Sequence, residues 1–335
     1  MECVINSKEY DFLRNDCHLG DNIMLLTYGG SYAYGTNVDG SDIDIRGCTM
    51  ERKEDLIGLG SFEQFEDRAT DTVIYGFNKL VSLLMNCNPN VIEILGCKPE
   101  HYMFVNKYGR MLLDNQKIFL SKRAMYSFGG YATQQLRRLE NALARDHYPP
   151  EAKEKHIMGS CNNAMHTFPS RYHTFSPEQI KLSIDSVDCV PQIFADVEMA
   201  HIPLREFIGI MNELTEISKN YNKLNKRNNK KDNAHLNKHA MHLIRLYLMC
   251  IDILEKETVI TFRENEHDLL MSIRHGEFQK PDGTFRSEFF DMVTELECRA
   301  KYAAEHTALH SKPNYKKIEE LVIYMNEEAI NADRH

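Results

Sequence analysis

The sequence lacks a hydrophobic run long enough to cross a bilayer. No eighteen consecutive residues are apolar, and the richest stretch, residues 242–254, is interrupted by Arg245 and Asp252. A membrane-spanning helix needs about 20 predominantly apolar residues, so this class of protein is excluded. The first residues also lack a basic region followed by an apolar segment, and we therefore expect no secretory signal.

Paired cysteine motifs are also missing. The chain has 9 cysteines, an odd number, and no two of them form a Cys-x-x-Cys pair. Together with the expected lack of an export signal, this pattern indicates reduced thiols in a cytoplasmic protein, most of them filling the core. The zinc-ribbon and disulfide-scaffold classes are therefore excluded.

An excess of positive charge is absent too. The formal net charge is −9, which disfavours a protein that coats nucleic acid through its overall charge but leaves room for a local basic groove. The 335 residues are 42% hydrophobic and 27% charged, enough for a folded core in one large domain or two ordinary ones.

The first third of the chain combines short β-type runs with glycine turns. Residues 23–28 form an apolar run that ends in Gly29-Gly30, which predicts a buried strand. Residues 42–46 alternate acidic residues with isoleucine, and residues 71–75 are rich in β-branched and aromatic side chains, so both runs predict strands. A helix over residues 77–85 and a short helix over 91–95 follow.

The pattern becomes helical after about residue 120. Apolar residues recur at helical spacing in five long segments, residues 122–145, 204–224, 237–256, 289–306 and 315–329. We therefore predict an α+β fold, with a small α/β domain and a mixed sheet over residues 1–120 and a mostly helical domain over residues 121–335.

The residues that indicate a chemical function are the glycine turn at residues 29–31 and the acidic run at residues 42–46. Where the first strand ends, Gly30 and Ser31 lead into a short helix, so backbone N–H groups and a hydroxyl are available to an anion such as a triphosphate. Asp42 and Asp44 are two residues apart, a spacing that puts both carboxylates on one face of a strand. Two adjacent carboxylates beside a phosphate site suit Mg²⁺, and two such ions could hold an attacking hydroxyl and a leaving pyrophosphate.

A third carboxylate would complete the metal site. Asp71 is the best candidate because it opens the predicted strand over residues 72–75, whereas Glu66 and Asp67 lie in a more polar stretch. The alternative is a polar turn beside an acidic strand edge, which each of these features would fit if it stood alone.

These motifs resemble the signature of the DNA polymerase beta superfamily of nucleotidyltransferases, Gly-Ser followed by Asp-x-Asp. The longer form, Gly-Gly-Ser-Tyr-Ala-Tyr-Gly-Thr-Asn at residues 29–37 and Ser-Asp-Ile-Asp-Ile-Arg-Gly at residues 41–47, is similar to a narrower bacterial and phage group associated with RNA repair. Three later segments, residues 88–95, 238–246 and 273–277, also resemble motifs of this group.

The resemblance implies a role for each matching residue. Asp42 and Asp44 would bind two Mg²⁺ ions, with Mn²⁺ as an alternative, and Gly30 and Ser31 would contact the triphosphate of an NTP. Asp71 would be the third acid, acting as metal ligand or base toward the acceptor hydroxyl. The acceptor implied is an RNA end, on a tRNA or a damaged RNA.

Further contacts are predicted outside the glycine turn and the acidic run, most of them in the helical half. On a helix, His235, His239 and His242 would share one face, near Lys238 and Arg245, which favours a phosphate over a metal. Residues 219–231 carry six Lys/Arg and no acid, and this run is either a solvated face or a landing site for a polyanion. Further candidates for contacts to the nucleotide or the acceptor are Lys79, Arg245 and Arg274.

Three other functions stay open at this point. One is a toxin or defence effector that nucleotidylates a tRNA or a protein side chain, and another is a nucleotidyltransferase with a small-molecule acceptor. The third is a regulatory module that binds nucleotides without catalysis, which the intact Asp-x-Asp pair argues against. The sequence does not indicate which NTP is used or the oligomeric state.

Overall fold

A mixed sheet forms from the glycine-flanked runs of the first third. The computed structural model describes residues 5–146, 148–225 and 233–331. The strands of the five-stranded sheet are β1 (Ile23–Tyr28), β2 (Ile45–Thr49), β3 (Gln64–Asp67), β4 (Thr72–Gly76) and β5 (Tyr102–Val105). Their order is β3–β4–β2–β1–β5, with β2 and β4 parallel and the other neighbours antiparallel.

The centre of this sheet is buried on both faces, as its composition requires. Along β1 the first five residues are buried and only Tyr28 is partly exposed. On one face, Leu26, Ile45 and Ile74 pack with apolar residues from the N-terminal segment, among them Leu13 and Leu19. Burial of these aliphatic side chains, about 1.5–3 kcal/mol each, fixes which face of β2 points inward.

Helices surround the sheet and dominate the rest of the chain. Those in the first part are α1 (Phe12–Asn15), α2 (Gly30–Tyr34), α3 (Lys53–Leu56), α4 (Phe77–Met85), α5 (Pro89–Ile92) and α6 (Lys107–Asp114). Those that follow are α7 (Arg123–Asp146), α8 (Pro150–Met165), α9 (Phe168–Arg171), α10 (Leu204–Asn225), α11 (Asn233–Lys256), α12 (His267–Arg274), α13 (Ser287–His306) and α14 (Tyr315–Asn331). The predicted α+β class, with a mixed sheet followed by a mostly helical region, is confirmed.

The chain divides into two compact units. The first combines Met1–Gln135 with Ala240–Glu277 and Ser287–His335, and the second combines Leu136–His239 with Phe278–Arg286. Segments from the helical half therefore pack with the mixed sheet in the first unit. The domain boundary near residue 120 stays a prediction from the sequence.

The second unit has an apolar cluster and a hairpin that the sequence patterns did not indicate. Strands β6 (Ile180–Val187) and β7 (Val190–Val197) pair in register as an antiparallel hairpin. Ile180 is buried in a cluster with Phe168, Phe175 and Ile210.

The acidic run differs from its prediction in one respect. Strand β2 begins at Ile45, so Asp42 and Asp44 lie in the extended segment that leads into the strand. The alternation still holds, because Ile43 and Ile45 pack against the core while Asp42 is exposed and Asp44 is partly exposed.

No helix among the described residues is both long and apolar enough to cross a membrane. The described cysteines are all free thiols.

Two helical glycines provide a test of how tightly α6 packs on β1. A Cβ atom at Gly109 would lie 2.3 Å from the backbone oxygen of Met24, whereas at Gly129 the nearest atom would be 3.9 Å away. We expect Gly109→Ala to lower the free energy of unfolding by about 1–3 kcal/mol, because backbone atoms must move apart. Gly129→Ala, the matched control, should leave it unchanged or raise it by up to about 1 kcal/mol. Urea denaturation measures both, and equal effects would contradict the packing.

Candidate active site

The Gly-Ser turn lies directly beside the acidic segment. Strand β1 ends at Tyr28, and the backbone N–H of Gly29 donates to the carbonyl oxygen of Asp44 at 2.8 Å. This bond continues the β1–β2 ladder beyond the strands, and α2 then begins at Gly30. The turn and the second acid are therefore held together through the backbone.

The side chain of Asp44 occupies the space that a side chain at Gly30 would need. A Cβ atom on Gly30 would lie 1.8 Å from Oδ2 of Asp44 and 2.7 Å from its Cγ. Gly30 also has φ +54°, in the left-handed region that favours glycine. At Gly29, a Cβ atom would lie 2.7 Å from Cγ of Arg46. Both glycines are thus required for the close approach of the acidic segment.

A short loop brings the two acids to this position. The backbone N–H of Val38 donates to Oγ of Ser41, and the N–H of Ser41 donates to the carbonyl of Val38, both at 2.9 Å. Asp42 follows this closed turn and is exposed. Because Ile43 is anchored in the core, Asp42 and Asp44 both point away from that face of the sheet.

Arg46 connects the carboxylate of Asp44 to the backbone of Asp71, the predicted third acid. Its Nη2 lies 3.2 Å from Oδ1 of Asp44, and its Nη1 donates to the carbonyl oxygen of Asp71 at 2.5 Å. Asp71 is exposed, has φ +50°, and also accepts from the N–H of Ile45 at 3.3 Å. The start of β4 is therefore fixed next to the start of β2.

The three predicted acids precede the neighbouring strands β2 and β4, but their carboxylates do not form a closed cluster. Within the described ranges, Asp42, Asp44 and Asp71 are not a set whose oxygens all lie within 4.8 Å of one another. The other two candidates for the third acid have local partners. Oδ2 of Asp67 accepts from the N–H and hydroxyl of Thr70, at 2.9 and 2.7 Å, and Glu66 pairs with Arg68.

A buried charged network supports the turn from inside the first unit. The hydroxyl of Tyr34, on α2, donates to Oε2 of Glu93 at 2.6 Å, and Nη1 of Arg245 lies 3.5 Å from the same oxygen. The Arg245 guanidinium also stacks on the Tyr34 ring, 3.5 Å from its centroid, and is 1% exposed. Nδ1 of His242 lies 3.1 Å from Nη2 of Arg245.

Burial controls the protonation of this network. It raises the pKa of Glu93, although the nearby positive charge of Arg245 acts in the opposite direction. Burial also raises the pKa of Tyr34 well above its ordinary value, so this hydroxyl stays a donor. At Tyr75, on the neighbouring strand, burial again raises the pKa and Arg46 opposes the shift.

Segments that follow residue 240 hold the other end of α2. Nη1 of Arg274 donates to the carbonyl oxygen of Thr36 at 2.6 Å, and the N–H of Arg263 donates to that of Tyr34 at 3.2 Å. The ring of Phe262 lies against Gly35, where a Cβ atom would be 2.4 Å from Cε2. The loop that carries the first acids is thereby tied to α12.

The remaining predicted residues are not contacts of the glycine turn in the described structure of the first unit, or they belong to other parts of the chain. Lys79, on α4, is near the far end of β4 from Asp71, and its Nζ pairs with Glu63 at 2.7 Å. His235 and His239 belong to the second unit. The basic run begins in the last turns of α10, and its residues 226–231 lie outside the described residues.

Three residues of the site were not predicted from the sequence. Arg46 is the next outward-facing position after Asp44, so the same alternation that indicated the acids could have included it. Glu93 is an acid inside an otherwise apolar helical segment, which is a signal for a paired buried charge. Tyr34 gave no separate signal, since its hydroxyl partner is 59 positions away.

The first unit therefore contains a mixed sheet in which a Gly-Ser turn contacts an Asp-x-Asp segment, an arrangement typical of a nucleotide-binding site. Residues 6–158 match the family described as the RNA repair pathway DNA polymerase beta family. This match supports the resemblance of the segment to the polymerase-beta-like group. No curated protein and no solved structure gave a significant match.

The contact between Gly30 and Asp44 can be tested against a matched glycine. Gly30 and Gly40 both have positive φ, but a Cβ atom at Gly40 would meet nothing within 4 Å. Both alanine variants should lose about 1 kcal/mol of folding free energy through the left-handed backbone. Gly30→Ala should lose about 1–3 kcal/mol more, because the Asp44 carboxylate must leave its position. Denaturant unfolding measures this difference, and equal losses would contradict the contact.

The pH dependence of stability tests the state of Glu93. Because burial raises its pKa in the folded chain, the folded state binds more protons than the unfolded state at pH values above about 4. The stabilisation from this group is full below the ordinary pKa and is lost as the pH rises through the raised one. The unfolding free energy of the wild type relative to Glu93→Gln should therefore fall as the pH rises from about 4.

Denaturation curves at a series of pH values measure this difference. Glu100→Gln, at an exposed position, controls for the loss of one carboxylate. A difference that grows with pH would mean that the attraction of Arg245 outweighs burial, contrary to the expectation.

Proposed function

We propose that the chain is a metal-dependent nucleotidyltransferase that moves an NMP from an NTP to an acceptor hydroxyl on an RNA end, with release of pyrophosphate. The contact between Gly30 and Asp44 carries this proposal, since it brings a turn suited to a polyphosphate against a carboxylate suited to a cation. The family match over residues 6–158 supports the same class of reaction.

The donor chemistry at the acidic segment fits Mg²⁺, with Mn²⁺ as an alternative. Carboxylate oxygens are the hard ligands that these ions prefer, and Asp42 is exposed and so accessible to an ion and its waters. Asp42 and Asp44 would hold the metal, with Asp71 as the third acid. When bound, two ions would neutralise charge on the transferred phosphoryl group and lower the pKa of the attacking hydroxyl.

Residues of the chain would hold the triphosphate and the acids in position. Gly30 and Ser31 would contact the triphosphate, because the absence of a side chain at Gly30 lets the backbone approach closely. Arg46 keeps Asp44 and the Asp71 turn in fixed relation, and Tyr34 and Arg274 hold α2 and the loop after it. Correct placement of reacting groups accounts for much of the rate in this type of transfer.

The residues predicted to contact the nucleotide differ in their burial and in their distance from the glycine turn. Arg245 is buried between Tyr34 and Glu93, which favours a positioning role, and His242 lies beside it and is partly exposed. Arg274 is bonded to the loop carbonyl of Thr36, so it supports the same loop that a nucleotide would meet. Lys79, a predicted contact outside the helical half, is paired with Glu63 at the far end of β4 from Asp71, and its contact to the nucleotide stays a prediction.

An RNA acceptor in the cytoplasm is the version of this function that we favour. The description of the matched family names an RNA repair pathway, and the basic run over residues 219–231 offers charge for a polyanion. Nucleotidylation of a tRNA or protein by a toxin or defence effector, and transfer to a small molecule, are alternative acceptors for the same chemistry.

Loss of the proposed metal ligands should stop transfer without unfolding the chain. We expect Asp42→Asn and Asp44→Asn each to reduce the rate about 10²–10³-fold or more, because the amide cannot neutralise the metal charge. The measurement is transfer of label from each α-labelled NTP to total cellular RNA or to a whole-cell lysate, with Mg²⁺ or Mn²⁺. The identity of the labelled product would name both nucleotide and acceptor.

Asp39→Asn is the matched control, since Asp39 is an exposed acid three positions before Asp42. It should retain the wild-type rate. Full metal-dependent activity in either the Asp42 or the Asp44 variant would exclude the proposed mechanism, and label found only on protein or on small molecules would exclude the RNA acceptor.

A further inference from the structure

A second cluster of metal-ligating side chains lies at the opposite end of β2 from the acids. Asp16, Cys17 and His18 follow α1, and Oγ of Thr49 donates to the carbonyl of His18 at 2.7 Å. Since Thr49 ends β2 while Asp44 precedes it, the two places are separated by roughly 16 Å along the strand. The cluster is therefore separate from the candidate active site.

The ligand atoms of the three residues are close enough to share one ion. A carboxylate oxygen of Asp16, Sγ of Cys17 and a ring nitrogen of His18 all lie within 4.8 Å of one another, and the described residues contain no other such group of three. Sγ of Cys17 is 3.4 Å from Nδ1 of His18, and Oδ1 of Asp16 is 3.6 Å from the same nitrogen.

These separations match the edges of a tetrahedral zinc site. With Zn–S and Zn–N bonds of about 2.3 and 2.0 Å, neighbouring ligand atoms are about 3.3–3.6 Å apart. A thiolate, a carboxylate and a neutral imidazole would also balance the charge of a divalent ion. The thiolate favours Zn²⁺ over Mg²⁺, so this donor set differs in kind from the all-oxygen set at Asp42 and Asp44.

Surrounding residues orient the histidine for this role. Its Nε2 faces Oδ2 of Asp55 at 3.5 Å, and that carboxylate side chain is 3% exposed and held by Nε of Arg52 at 3.1 Å. The His18 ring stacks on Phe62, with centroids 4.4 Å apart and an interplanar angle of 9°. A buried carboxylate at one ring nitrogen leaves the other one available as a ligand, as in carboxylate–histidine–zinc arrangements.

The aspartate is oriented as well. Oδ1 of Asp16 accepts from the backbone N–H of His18 at 2.8 Å, which keeps the carboxylate beside the ring. Cys17 is exposed, so an ion and a completing water can reach the thiol from solvent. We propose that Asp16, Cys17 and His18 form a zinc-binding site, with Asp55 orienting the histidine and solvent in the fourth position.

The test uses full-length, tag-free protein carrying Asp42→Asn and Asp44→Asn, so that the proposed catalytic ligands do not compete for the metal. After chelator treatment, Zn²⁺ is titrated in competition with a chromophoric chelator. One equivalent should bind, and Cys17→Ser should bind at least about tenfold more weakly. Cys298→Ser, at another exposed cysteine, is the matched control and should bind like the parent.

A variant of Asp55, which is not a proposed ligand, distinguishes a three-ligand site from binding by the Cys17 thiol alone. Asp55→Asn should weaken binding by about 10–100-fold, because the histidine loses its orienting carboxylate. Co²⁺ provides a direct signature, since a thiolate ligand gives a charge-transfer band in the near ultraviolet that should vanish in Cys17→Ser. Absence of Zn²⁺ binding in the parent, or equal binding by Cys17→Ser and Cys298→Ser, would overturn the proposal.

Discussion

The candidate active site depends on one close contact, between the Cα atom of Gly30 and the carboxylate of Asp44. Only a residue without a side chain admits that carboxylate, and the backbone bond from Gly29 to Asp44 extends the β1–β2 ladder to the acidic segment. The positions of the neighbouring site residues depend on this contact. Arg46, the next outward position, reaches both Asp44 and the carbonyl of Asp71, and so carries the constraint to the neighbouring parallel strand.

The same turn is supported by residues far along the chain. Arg245, on α11, joins Glu93 to the ring of Tyr34, and Arg274 binds the loop that leads to the acids. The family match ends at residue 158, yet these supporting residues lie beyond it within the same compact unit. A buried ion pair of this kind contributes little net stability, and here it links α2 to Glu93 and to α11.

Local patterns predicted the parts of this protein that local forces determine. The apolar run of β1, the alternation of Asp42 to Arg46 and the long amphipathic helices were all visible in the sequence. The β6–β7 hairpin was missed because its turn places Cys189 after Asp188, both at positive φ, whereas glycine is the usual residue at the second of these positions. The Glu93 network was missed because its members are brought together by tertiary packing, which spacing along the chain does not reveal.

The central claim is that the glycine turn and the two acids form one site for a metal and a polyphosphate. The most direct measurement is anomalous scattering from crystals grown with Mn²⁺ and a non-hydrolysable NTP analogue. We expect a manganese peak between Asp42 and Asp44, with the triphosphate lying along Gly30 and Ser31. Manganese bound elsewhere, or a nucleotide bound away from that turn, would contradict it.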